Sequence, residues 1–174
     1  MNTNSVPRIL GIDPGLNISG YGVIEVISGK PRLREAGIIR GGTSQIPIGR
    51  RLHEIYTGVR EVIESLQPTA IAIEQLYSHY EMPKTAILMG HARGVICLAA
   101  EEAKIDVQDF PATNIKKTLT GSGRAPKHQM QRAIQFELGL RELPEPADVA
   151  DALAVALCYY YSILRPEIAI GQKR

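Results

Sequence analysis

The sequence predicts a single α/β domain, built as a five-stranded mixed sheet with helices on both faces. Three observations predict it. The 174 residues fit one compact core. Strand-like segments come first and then alternate with helical ones, which is typical of layered α/β architecture. Residues 70–73 are apolar at every position, as expected for a central strand covered on both sides.

The first forty residues predict an antiparallel meander of three strands. Residues 8–13 form a short apolar run that ends at a Pro-Gly turn, and residues 19–27 form a second run. Lys30-Pro31 is interpreted as a break, and residues 32–40 alternate well enough to be the third strand.

Helices and parallel strands are predicted for the rest of the chain. Apolar residues recur at steps of three and four through residues 48–66, which indicates a helix before the strand 70–73. A helix over 84–103, a strand over 105–110 and a short helix to residue 119 follow. The connector 121–123 and the Pro-rich linker 143–146 then separate helices predicted over 126–138 and 147–164.

The domain is expected to span residues 8–164, with a flexible N-terminal tail at 1–7 and a C-terminal tail at 165–174. The apolar stretch 152–164 is too short and too polar for a membrane span, and the N-terminus lacks an export signal, so a cytoplasmic protein is expected. Cys97 and Cys158 show no CxxC spacing and are predicted to be reduced core residues.

Charge is distributed unevenly along the chain. The net charge is only +2, yet residues 110–136 contain no acidic residue. That segment carries five basic residues, namely Lys116, Lys117, Arg124, Lys127 and Arg132. It therefore predicts a local anion-facing surface, although a merely solvated basic face remains open.

Four carboxylates are the candidate chemical groups. Asp13 and Glu74 each end an apolar strand, so both should project from the carboxyl ends of adjacent parallel strands. Asp148 and Asp151 share one face of the first turn of the last helix. Oxygen ligands suit Mg²⁺ or Mn²⁺, and two such ions could activate water and stabilise a leaving oxygen. Taken singly, each acid also fits a turn, a strand end or a helix cap.

The ordered motifs resemble the RuvC family of crossover (Holliday) junction endodeoxyribonucleases, within the ribonuclease H-like superfamily. They are found, in this order, at residues 11–15 (GIDPG), 20–23 (GYGV), 72–75 (AIEQ), 91–95 (HARGV) and 147–154 (ADVADALA). The resemblance implies a ribonuclease H-like fold and a homodimer that cuts two opposed strands of a four-way DNA junction in recombination and repair.

The same resemblance implies roles for particular residues. Asp13, Glu74, Asp148 and Asp151 match the catalytic acids, which would bind two Mg²⁺ or Mn²⁺ ions. Lys116 and Lys127 match basic residues near the scissile backbone, and Arg124 lies between them. Tyr77 falls where the family often carries an aromatic that stacks at the junction. A branch-migration complex of RuvA and RuvB is the implied partner.

Two other functions remain open from the sequence. An actin-like ATPase or sugar kinase also begins with a glycine-rich turn after its first strand, although such folds need two domains. A catalytically silent junction-binding module would use the basic segment alone. The loop 77–83 has more aromatics and a proline than the family pattern suggests. The helix predicted over 84–103, with Met89 and Cys97, is the candidate dimer surface.

Overall fold

The computed structural model describes residues 6–76 and 83–168 and contains one five-stranded mixed sheet. The order across the sheet is β3-β2-β1-β4-β5. Strands β1, β2 and β3 pair antiparallel, whereas β4 lies parallel to both β1 and β5. The strands span Arg8–Asp13 (β1), Ile18–Ile27 (β2), Lys30–Arg40 (β3), Ala70–Glu74 (β4) and Val107–Phe110 (β5). The predicted sheet is confirmed.

One boundary prediction is wrong at the turn between β2 and β3. Lys30 and Pro31 do not break the chain but belong to β3, where they pair with Ile27 and Val26. The turn lies at Ser28 and Gly29, which both have positive φ. Proline is tolerated in this strand because β3 forms the edge of the sheet, where one side of the backbone needs no ladder partner.

In the described part of the chain, five α-helices connect and cover the sheet. They span Ile48–Leu66 (α1), Pro83–Glu102 (α2), Ala112–Thr120 (α3), Lys127–Leu138 (α4) and Ala147–Tyr159 (α5). Helix α1 agrees with the predicted limits. It is capped at its C-terminal end by Gln67, which adopts a left-handed conformation. The last was predicted to continue to residue 164. The chain there widens into a π-helical turn, Tyr160–Leu164.

The two faces of the sheet support separate cores, because successive side chains of a strand point to opposite faces. Ile9 and Ala72 pack into one core with α3, α4 and α5. Leu10, Ile12 and Ile71 pack into the other, under α1 and α2. Both faces are thus covered by helices, which explains why β4 is apolar at nearly every position.

Helix α5 lies unusually close to β1 and β2. A Cβ atom built at Gly11 would stand 2.1 Å from the Ala152 carbonyl oxygen, and one at Gly20 would stand 1.9 Å from the Asp148 carbonyl oxygen. Neither position can therefore hold a larger residue without moving the helix. Residues 147–164 are apolar and long enough to cross a membrane by composition, but 61% of this window is buried inside the domain. That burial is typical of a core helix.

Candidate active site

Asp13 and Glu74 lie side by side at the carboxyl ends of β1 and β4. The residues just before them, Ile12 and Ile73, are direct partners in the parallel ladder. The turn after Asp13 is fixed by the buried Ser19, whose hydroxyl donates to the Gly15 carbonyl at 2.8 Å and accepts from its N–H at 3.2 Å. Two strand ends therefore present two carboxylates at one edge of the sheet.

The second pair of carboxylates comes from the helical layer that covers the sheet. Asp148 and Asp151 occupy the first turns of α5, which begins at Ala147 after Pro146. Gly20, the ladder partner of Asp13, is also the residue that the Asp148 backbone approaches. The missing side chain at Gly20 thus lets the start of the helix reach the end of β1.

The electrostatics of Asp13 indicate that the four acids lie close together. Burial, as the largest cause, and the charges of Asp151, Glu74 and Asp148 together raise its pKa from 3.8 to about 7. Lys127 opposes these effects and lowers the pKa. Each acid thus resists ionisation of Asp13, as expected where several carboxylates share one poorly hydrated place.

Glu74 and Asp151 are perturbed in the same direction. Burial is the main cause of the raised pKa of both carboxyls, and the charge of Asp151 also raises the pKa of Glu74. Lys116 lowers the pKa of both, and Lys127 lowers that of Asp151. The two lysines are therefore close enough to compensate part of the negative charge.

A cleft of about 160 Å³ opens beside two of the acids. Glu74 and Asp151 line it together with Lys116 from α3 and Lys127 from α4, above an apolar base that includes Met130. Lysines on short helices that meet at a carboxylate cluster give the cleft both signs of charge. A phosphodiester needs such a surface, since it is an anion that must approach other anions.

The donor set fits a hard divalent cation. All four groups are partly buried carboxylates with oxygen donors, and no histidine or thiol competes among the groups that perturb them. Within residues 6–76 and 83–168, no three His, Cys, Asp or Glu side chains already form a group that could hold a metal. Carboxylates repel one another at low dielectric, so a cation would have to draw them inward.

The other residues predicted from the sequence differ in how near they lie to the acids. Lys116 and Lys127 line the cleft, and their contact with DNA stays a prediction. Arg124 is exposed in the connector between α3 and α4 and is not among the residues that line the cleft. The prediction for Tyr77 lies outside the described residues. Cys97 and Cys158 are free thiols, but only Cys158 is fully buried.

Sequence reasoning missed the role of Gly20. The short spacing of Gly20 and Gly22 in a strand was its only signal, because a glycine inside a strand often marks close backbone approach. The partner of that approach, the first turn of α5, lies more than 120 residues away along the chain. Only the folded structure shows that this glycine positions a carboxylate.

A five-stranded mixed sheet whose central strand ends meet an acidic helix defines a ribonuclease H-like nuclease. The chain belongs to the RuvC family of crossover junction endodeoxyribonucleases, since the family model matches residues 9–159. It is therefore a DNA endonuclease of a metal-dependent family.

Named relatives agree with this assignment. The chain is 52% identical over 162 residues to the crossover junction endodeoxyribonuclease RuvC of Rhodopirellula baltica, covering 93% of this chain and 90% of that one. It is 48% identical over 151 residues to the RuvC of Moorella thermoacetica, covering 87% and 89%. Neither the actin-like nor the catalytically silent alternative is supported.

Solved structures give the same result. The structure of Thermus thermophilus RuvC in complex with a Holliday junction substrate matches with a TM-score of 0.86 and 33% identity, covering 94% of this chain and 98% of that one. The yeast mitochondrial resolvase Ydc2 matches with a TM-score of 0.64 at 12% identity, which shows a shared fold alone.

Proposed function

We propose that this endonuclease cuts four-way DNA junctions with Asp13, Glu74, Asp148 and Asp151 as the acids that bind two Mg²⁺ or Mn²⁺ ions. One observation carries the proposal: carboxylates from β1, β4 and α5 come together at one edge of the sheet, close enough to raise one another's pKa. Structural caps and turns would not need to meet in this way.

Each group then has a distinct task in hydrolysis. Bound divalent ions supply the means to activate water and to stabilise the oxygen that leaves the phosphorus. The four carboxylates hold the ions, and the raised pKa values of Asp13, Glu74 and Asp151 mark these three as groups whose charge needs a cation partner. Lys116 and Lys127 bind phosphates that flank the cut, where their ammonium groups offset the charge of the acids.

A homodimer accounts for paired cuts in two opposed strands. The face of α2 that passes through Ile87, Gly94 and Leu98 is exposed, and Ile87 and Leu98 are 61% and 51% accessible. A Cβ atom at Gly94 would contact nothing within 4 Å, so the helix backbone is open to close approach there. Met89 and Cys97, named from the sequence, are only partly exposed.

Three further proposals rest on the family relationship. The protein works in the cytoplasm, with RuvA and RuvB supplying the junction by branch migration. Residues 8–164 are the nuclease domain, with tails at 1–7 and 165–174 outside it. Tyr77 stacks on a base at the opened junction, where base–aromatic stacking contributes ~1–3 kcal/mol per base.

The test is cleavage of a labelled immobile four-way junction in Mg²⁺ or Mn²⁺, resolved on a denaturing gel. We expect symmetric nicks in two opposed strands, no nicks in linear duplex of the same sequence, and no products in EDTA. Glu74→Gln should abolish the products, whereas Glu54→Gln, an exposed carboxylate on α1, should not. Cutting of duplex and junction at equal rates would contradict the proposal.

A further inference from the structure

A second groove reaches the acid cluster beside the β1–β2 turn. It has a volume of about 460 Å³, and its residues include Asp148, Asn17 of the turn and Arg51 of α1. The groove lined by Lys116 and Lys127 contains Glu74 and Asp151 instead. The acids therefore lie between two grooves. The one lined by Arg51, here called the Arg51 groove, has no part in the function derived above apart from Asp148.

Arg51 is an unusual residue for its place in the fold. It lies on the buried stripe of α1, four residues before Ile55 and eight before Val59, and it is only 6% exposed. Buried arginines are normally paired with a carboxylate, because a desolvated charge is costly. Within the described parts of the chain, Arg51 forms no salt bridge.

Its hydrogen bonds are also incomplete. Nη2 donates to the Asn17 side-chain oxygen at 2.5 Å, which is a neutral acceptor. Nε is buried without any hydrogen-bond partner. Among the described residues the guanidinium therefore lacks both a counter-charge and part of its donor complement. A phosphate group would supply the counter-charge, and its oxygens match the geometry of the guanidinium fork.

The remaining walls of the groove suit a nucleotide. Leu16, Ile18 and Leu88 provide an apolar lining, and the exposed hydroxyl residues Ser44 and Thr85 also border it. A strand whose scissile phosphate reaches the acids must continue in two directions. One direction is offered by the lysine-lined groove, and the other by the Arg51 groove.

We propose that the Arg51 groove binds the nucleotide next to the scissile phosphate, with Arg51 contacting its phosphate and the apolar wall contacting its sugar or base. The proposal rests on the proposed junction-cutting function. It assigns Arg51 as a binding residue for the cleaved strand, in addition to its support of Asn17 in the turn after Asp13.

The experiment is a chemical double-mutant cycle on full-length protein. A labelled four-way junction is made with an uncharged methylphosphonate at one phosphate at a time, on either side of the cut. Parent protein should lose about tenfold in affinity at one position next to the cut, as expected for a lost charge-assisted contact. Arg51→Gln should bind the unmodified junction about tenfold more weakly and should lose less than twofold from the same methylphosphonate. Equal losses for both proteins at every position would overturn the proposal.

A second pair of variants tests the groove without changing the buried Arg51. Ser44→Trp fills the groove from an exposed position, and Ser65→Trp makes the same change at an exposed serine near the end of α1. We expect Ser44→Trp to weaken junction binding about tenfold and Ser65→Trp to bind as the parent does. Equal binding by both would overturn the proposal. If the parent itself fails to bind and cut the junction, the proposed function fails instead, so the two failures are distinguishable.

Discussion

The two pairs of acids are positioned by different forces. Asp13 and Glu74 follow ladder partners, so main-chain hydrogen bonds fix their relative position. Asp148 and Asp151 belong to a helix whose place depends on close packing against a glycine in β2. The comparison teaches that the sheet fixes the positions of Asp13 and Glu74 rigidly. The positions of Asp148 and Asp151 depend instead on how closely α5 packs against the sheet.

The largest effect is expected from removing a carboxylate from either pair. Asp13→Asn, Glu74→Gln, Asp148→Asn and Asp151→Asn keep the size of each side chain but remove the charge that a divalent cation requires. Cleavage in single-turnover assays should fall by about 10³-fold, with junction binding retained. A variant that cuts near the parent rate would remove its residue from the site.

A smaller effect is expected from moving the helical pair without altering an acid. The methyl group in Gly20→Ala would displace the first turn of α5, and misplacement by about 1 Å costs on the order of 10²-fold in rate. The matched control is Gly49→Ala, where a Cβ atom meets nothing within 4 Å. Single-turnover cleavage should separate the two variants. Equal rates would show that α5 is free to adjust, and the contrast between the two pairs would then be lost.

The lysines should affect binding more than chemistry. Replacing both Lys116 and Lys127 by alanine removes two phosphate contacts, so the slope of log affinity against log salt should become shallower by about two units. Lys30→Ala, at an exposed position on the edge strand, is the control and should leave the slope unchanged. An unchanged slope in the double variant would mean that these lysines only compensate the acids.

The smallest effect concerns stability without metal, and it has a definite sign. The folded-state pKa of Asp13 is about 7, above its ordinary value of 3.8, so the folded protein holds this proton more tightly than the unfolded chain. Its contribution to stability is complete below about pH 4 and is lost as the pH rises towards 7. Asp13→Asn should therefore raise the melting temperature in EDTA by several degrees at pH 8 and by much less at pH 4. An equal shift at both pH values would contradict the burial of this charge.

The sequence was sufficient wherever the signal is local. Apolar runs that end in an acid located Asp13 and Glu74, and the i, i+3 spacing located Asp148 and Asp151 on one helix turn. Whether all four bind metal stays a prediction. Pro31 was misjudged because a strand's place at the edge of a sheet depends on the whole topology.

Features that depend on packing between distant segments could not be predicted from the sequence. Arg51 lies four residues before Ile55, on the face of α1 that is otherwise apolar. A basic residue on that face was the available signal. Its missing ion pair and its groove depend on a turn more than thirty residues earlier in the chain. Side-chain environments of this kind arise only when distant segments pack together.

Direct measurement of Mn²⁺ binding to the DNA-free protein tests the central claim that the two pairs of acids form one metal site. Calorimetric titration at pH 8 should show binding to the parent that is weakened at least tenfold by Glu74→Gln and by Asp151→Asn, one change in each pair. Glu54→Gln should bind as the parent does. If the two site variants retain parental affinity for Mn²⁺, the carboxylates of the sheet and of the helix do not act together on a metal, and the account is wrong.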